Sequence, residues 1–271
     1  MSVEEIILDR ENNRSIIMDV RGDRGGKTII FCHGYKGYKD WGCWNLMANF
    51  FAENGFCVVK FNFSCNGGTM SNPIDFPDLE AFGSNNYSKE VQDLTDVVNA
   101  VEQEFHATSI FLVGHSRGGG IVLLVAESDP RIDKVVTWAG VSDYASRFPQ
   151  DEKLKYWQEK GVYYIKNGRT GQEMPHYYQF YEDFEKNKSQ LSIKRAVTSL
   201  DIPQLIVHGT EDEAVNVNEA YNLKKWSKNA TLQLIKGAGH TFGTKQPWEG
   251  SDLPDHFIEV LDDTARFLRD H

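Results

Sequence analysis

The 271-residue chain is 40% hydrophobic and 12% aromatic, a composition that can build a substantial core and excludes general disorder. Its net charge of −10 is spread along the sequence without a basic patch, so nucleic acid and anionic membrane surfaces are not expected partners. No stretch approaches the roughly 20 apolar residues of a membrane helix, and the start, MSVEEIILDRENN, lacks the basic and apolar regions of a signal peptide.

Short runs rich in β-branched residues alternate with longer helical patterns. Residues 3–9 and 14–20 read as strands of a hairpin joined by the polar turn Arg10–Asn13. KTIIFC, residues 27–32, is a buried strand, and a loop runs from His33 to Asp40. Apolar positions from Cys43 to Phe51 have helical spacing, stopped by Gly55, before the strand FCVVKF at 56–61. A polar loop follows from about Asn62 to Tyr87. The next helix marks its apolar face with Val91, Leu94, Val97, Val98, Val101 and Phe105, which leaves Glu90, Asp93 and Glu102 outside. Strands are expected at 109–113, 134–138, 204–208 and 232–235, with a helix at 118–127 and another closing the chain.

Strands apolar throughout and alternating with helices predict an α/β fold whose mostly parallel sheet is covered on both faces. Residues 142–199 break the rhythm, with no good strand but many aromatics, and read as an insertion packed over one end of the sheet. Residues 1–141 and 200–271 then form the core. Four cysteines, Cys32, Cys43, Cys57 and Cys65, lack CxxC spacing. Free thiols in a reducing, cytoplasmic setting are the expectation, rather than a disulfide framework or a zinc site.

The pentapeptide GHSRG, residues 114–118, stands between an expected strand and helix, the setting of a Gly-x-Ser-x-Gly nucleophile elbow. Ser116 at a strand's carboxyl end, where α/β sheets bind ligands, is the candidate nucleophile. Its hydroxyl needs a base. Among eight histidines, His240 follows the last strand in the glycine-rich loop GAGHTFG, which can place an imidazole beyond the strand end. His115 adjoins Ser116 but faces away from the reacting oxygen in such an elbow. His208 reads as structural, and His106, His176, His256 and His271 lack apparent chemistry.

The imidazole needs a carboxylate, and HGTED places Asp212 just past another strand end, with Asp143 as the backup. An oxyanion hole needs two backbone N–H groups. Arg117 N–H follows the nucleophile, and Tyr35 N–H lies in the loop His33-Gly34-Tyr35 after the strand KTIIFC.

With FCHGYKG, FNFSCNGG, GHSRGG, VHGTEDEAV and GAGHTF in this order, the chain resembles the α/β-hydrolase superfamily over essentially its whole length. It looks most like small bacterial carboxylesterases, the cinnamoyl/feruloyl esterase-like group and the related serine aminopeptidase-like hydrolases. That resemblance implies an eight-stranded sheet, a helical cap after the sixth strand, no cofactor, and ester hydrolysis through an acyl-enzyme. It places the nucleophile on Ser116, the acid on Asp212, the base on His240 and the oxyanion donors on Tyr35 and Arg117. Many members carry Asp-x-x-Gly-x-Gly where this chain has Asn62-Phe63-Ser64-Cys65-Asn66-Gly67-Gly68.

The expected function is hydrolysis of small carboxylic esters with apolar or aromatic groups. The alternatives are a peptidase or amidase with the same triad, or a non-catalytic ligand-binding protein on this scaffold. The expected partner is a small-molecule ester, without metal, nucleic acid or membrane, and a homodimer is left open.

Overall fold

The computed structural model describes residues 2–9 and 14–270. The expected turn at Arg10–Asn13 and the terminal His271 lie outside the described residues. Strands β1 (Glu4–Leu8) and β2 (Ile16–Arg21) pair antiparallel, with Ile6 opposite Met18. The chain continues through β3 (Lys27–Cys32), α1 (Trp44–Glu53), β4 (Cys57–Phe61), α2 (Leu79–Gly83), α3 (Tyr87–Phe105), β5 (Ser109–His115), α4 (Arg117–Ser128) and β6 (Ile132–Trp138). An insertion then carries α5 (Asp151–Lys160), β7 (Val162–Lys166), β8 (Glu173–Tyr177), α6 (Gln179–Asn187) and α7 (Ile193–Ser199). The chain closes with β9 (Gln204–Gly209), α8 (Asn218–Trp226), β10 (Ala230–Ile235) and α9 (Asp255–Arg269).

Eight strands form one sheet in the order β1-β2-β4-β3-β5-β6-β9-β10, parallel from β4 to β10. Alternation along each strand sorts its side chains to two faces. Ile29 and Phe31 join Trp44, Met47 and Phe51 of α1 and Phe257, Val260 and Leu261 of α9. Ile30 and Cys32 face the opposite way, toward a core built with α3, α4, α7 and α8. All four cysteines are free and buried. Among the described residues no helix is long and apolar enough to cross a membrane.

The topology selects the place for a site. From β3 the chain moves one way to β4, then crosses over to β5 on the other side of β3. The carboxyl ends of β3 and β5 therefore open onto the crevice where the winding direction reverses.

Two expectations need correction. The segment 142–199 is not free of strands, because β7 and β8 form an antiparallel hairpin with Tyr163 opposite His176. Pro175 weakened the strand signal of EMPHY, yet a two-stranded sheet leaves an edge where a missing N–H is tolerated. The loop at 62–87 contains the one-turn helix α2, capped by Asp78 Oδ1 accepting from Ala81 N–H at 2.8 Å, too short for periodicity to reveal.

A buried ion cluster anchors the segment that leads out of β3. Lys60, fully buried on β4, donates to Asp40 at 2.7 Å and lies 3.3 Å from Asp19, which also pairs with Lys39 at 2.8 Å. Removing one member strands the remaining charges in a low-dielectric setting. Asp19→Ala is therefore expected to lower stability by about 3–5 kcal/mol, measured from urea unfolding monitored by tryptophan fluorescence.

Candidate active site

Ser116 occupies the turn between β5 and α4 with φ 56° and ψ −118°, a left-handed conformation that is strained for a non-glycine residue. Its neighbours explain why the turn closes. A Cβ on Gly114 would sit 2.3 Å from the Gly118 carbonyl oxygen, and one on Gly118 would sit 2.6 Å from the Cys32 and His33 carbonyls. The backbone can cross itself only with glycine at both positions. Ser116 N–H donates to the Trp138 carbonyl at 2.9 Å, which pins the turn to β6.

Three strand ends converge here. His240 Nδ1–H donates to Asp212 Oδ2 at 2.8 Å, leaving Nε2 to accept from the Ser116 hydroxyl at 3.0 Å. Asp212 follows β9 and is fully buried as a side chain. Its Oδ1 accepts Ala214 N–H at 2.9 Å and Val215 N–H at 2.8 Å. Burial would raise its carboxyl pKa, but the hydrogen bonds from His208, His240 and the Val215 backbone outweigh it and hold the group well below the carboxylate range. Asp143, the backup acid, is exposed and bonds the N–H groups of Ala145 and Ser146.

The loop after β3 lies against Ser116: a Cβ on Gly34 would be 2.9 Å from Ser116 Cβ. Tyr35 N–H has no acceptor among the described residues. Arg117 N–H opens α4, where first-turn N–H groups lack helical partners.

Buried histidines brace this arrangement. His115 Nε2–H donates to the His240 carbonyl at 3.0 Å, and its ring packs against those of Trp44 and His240. Desolvation first, then the neighbouring His240, depresses its pKa to about 3. His33 Nδ1–H donates to the Gly34 carbonyl at 2.9 Å, with a pKa lowered by burial to about 4. His208, buried at the end of β9, sits with Nε2 2.8 Å from the Val215 carbonyl and 3.3 Å from Asp212 Oδ2.

Other participants carried no sequence signal. His176 on β8 accepts from the Tyr35 hydroxyl at 2.9 Å, so the insertion grips the loop beside Ser116. Burial lowers its pKa to about 3. Glu90 and Asp93, expected outside α3, are buried. Glu90 accepts from the Arg117 guanidinium at 3.2 Å, and Asp93 accepts from Ser64 N–H at 2.7 Å. Donors on other elements satisfy these carboxylates, which helical periodicity alone cannot anticipate. The Arg117 guanidinium also lies 4.5 Å from the Tyr35 ring centroid and 5.2 Å from that of Tyr87.

Ser116 opens onto two cavities. The larger, about 400 Å³, is walled by aromatics of α3 and the insertion, including Tyr87, Tyr144, Phe148, Trp157 and Phe180. The smaller, about 280 Å³, is bounded by Lys36, Trp41, Trp44, Asn167 and Gln246. Among the described residues no group of three or more His, Cys, Asp or Glu side chains could hold a metal ion.

The sequence model described as alpha/beta hydrolase fold matches residues 27–163, half of the chain. The chain belongs to the α/β-hydrolase fold family. Within that family it is 22% identical to the monoacylglycerol lipase ABHD6 of Mus musculus over 280 residues, 90% of this chain and 79% of that one. It is 26% identical over 117 residues to the peptidase YtmA of Bacillus subtilis (strain 168), covering 43% of this chain and 40% of that one. This hydrolase fold also superposes on Est1E of Butyrivibrio proteoclasticus with ferulic acid bound, at a TM-score of 0.73, 17% identity and 97% coverage of both chains.

The buried histidines predict an acid-sensitive hydrolase fold. His33, His115 and His176 stay neutral when folded but protonate in the unfolded chain below about 6.5. The unfolded state then binds more protons, so stability falls as pH drops from about 6.5 toward 4. Asp212, held low, loses its contribution only in stronger acid. Urea midpoints measured across this range should decline with acidity, and His176→Gln should flatten the decline.

Proposed function

We propose that this chain is a serine hydrolase of carboxylic esters, with Ser116 as nucleophile, His240 as general base and acid, and Asp212 as the carboxylate that orients the imidazole. The observation that carries this reading is the continuous relay from Asp212 through His240 to Ser116 Oγ, at 2.8 and 3.0 Å, where two cavities meet.

In this reading Ser116 Oγ attacks the ester carbonyl carbon while its proton passes to His240 Nε2. Negative charge on the carbonyl oxygen is stabilised by Tyr35 N–H and Arg117 N–H, and Asp212 stabilises the imidazolium. Collapse expels the alcohol, protonated by His240. Water activated by the same histidine then attacks the acyl-enzyme, releasing the acid and restoring Ser116.

The larger cavity suits an apolar or aromatic acyl group, such as a hydroxycinnamoyl unit, because seven of the side chains that line it are Tyr, Phe or Trp. The likeness to a monoacylglycerol lipase and to an esterase-sized fold holding ferulic acid supports ester chemistry with such groups. The YtmA likeness supports a second reading, amide cleavage by the same relay. Faster turnover of aminoacyl nitroanilides than of nitrophenyl esters would favour it.

Ser116→Ala should lower kcat on 4-nitrophenyl cinnamate by roughly 10⁴–10⁶-fold with the circular dichroism spectrum unchanged. Asp212→Asn should lower it by about 10⁴-fold, since the wrong imidazole tautomer then faces the serine. Both effects are read from steady-state kinetics on purified variants, and near-wild-type activity in Ser116→Ala would contradict the proposal.

A further inference from the structure

Tyr35, Ser116 and His240 line both cavities, so an ester whose carbonyl sits on Ser116 extends one arm into each. Within the ester-hydrolase reading, on which this inference rests, the arms can be assigned. His240 Nε2 must hand its proton to the departing oxygen, so the alcohol lies on the side of the histidine's own loop. Thr241 and Gln246 of that loop line the smaller cavity and not the larger one. The acyl group then occupies the aromatic cavity and the alcohol the smaller one.

Charge distinguishes the two. Arginines and a lysine line them, and the arginines are each neutralised. In the larger cavity Arg117 pairs with Glu90 at 3.2 Å, and Arg147 pairs with Glu219. In the smaller one Arg169 pairs with Asp75 at 2.9 Å. Lys36 is half-buried, and among the described residues no carboxylate pairs with it. Its ammonium lies 5.1 Å from the Tyr35 ring centroid. Burial lowers its pKa with no acidic neighbour opposing the shift. A partly desolvated cation without a counter-charge is costly, and the cavity beside it is where a counter-charge can enter.

The remaining walls restrict what that counter-charge is attached to. Trp41 and Trp44 offer apolar surface, while Asn167 and Gln246 bring amide groups. One unpaired cation balances a single negative charge. A phosphate monoester, close to −2 at neutral pH, would leave charge unbalanced in a protein already at −10.

We propose that the smaller cavity is a leaving-group subsite for an alcohol bearing a carboxylate, with Lys36 as its specificity-determining cation. The substrate class is an ester that joins an apolar or aromatic acyl group to a hydroxy acid. Lys36 belongs to the stretch HGYKGYKDW, whose second lysine, Lys39, is consumed in the buried ion cluster with Asp19 and Asp40. The two lysines thus serve different ends, one structural and one facing substrate.

The test compares cinnamoyl lactate with its carboxamide, a neutral analogue of nearly equal size and identical acyl group. The wild-type enzyme should favour the acid by about tenfold in kcat/KM, the worth of one charged hydrogen bond. Lys36→Met should bring the ratio close to one, and Lys36→Arg should restore most of it. Any general loss of activity cancels within each ratio. A wild-type ratio near one, or an undiminished ratio in Lys36→Met, overturns the subsite. Inactivity on every ester, methyl cinnamate included, overturns the ester-hydrolase reading instead. The subsite is then decided by calorimetric titration of Ser116→Ala: tighter binding of the acid than of the carboxamide supports it, and equal binding overturns it.

Discussion

The site depends on one strained backbone turn. Ser116 is held at φ 56° because β5 delivers the chain into a crossing that only Gly114 and Gly118 permit. Hydrogen bonds from β6 and α4 fix the turn from both sides, with Ser116 N–H on the Trp138 carbonyl and Gly119 N–H on the Ser116 carbonyl. A serine so held has its hydroxyl beyond the end of the sheet and the first N–H groups of α4 beside it. Relaxing the turn would move both together.

Around that turn the buried carboxylate is paired and the buried imidazoles are uncharged, while Lys36 alone faces the smaller cavity without a carboxylate partner among the described residues. Asp212 is ionised under four donors, whereas His33, His115 and His176 are kept neutral by burial. Each neutral ring has a fixed bond: His33 to the Gly34 carbonyl, His115 to the carbonyl of His240, His176 to the hydroxyl of Tyr35. The insertion is therefore more than a cover. Through His176 and Tyr35 it is mechanically joined to the loop that lies against Ser116, while Arg117 and Glu90 tie the start of α4 to α3.

Much of this was legible from residues alone. The eight strands of the main sheet announce themselves as apolar runs, and Ser116, Asp212 and His240, each flagged by a strand end and a small-residue loop, are brought within hydrogen-bonding distance. What was illegible depends on partners distant in sequence. Glu90 looks like any solvent-facing helix residue until Arg117 reaches it. His176 lies in a stretch whose hairpin is masked by Pro175, and nothing local marks its bond to Tyr35, 141 positions away. Lys36 is equally silent, because its meaning lies in the lack of a partner among the described residues rather than in any pattern.

Two cavities meet at Ser116, so everything proposed for the site turns on the reactivity of this one hydroxyl. The most direct measurement is intact-protein and peptide mass spectrometry after treatment with a fluorophosphonate. One adduct per chain, located on Ser116 and abolished in His240→Ala, is the predicted result. No adduct, or an adduct on another residue, would contradict it.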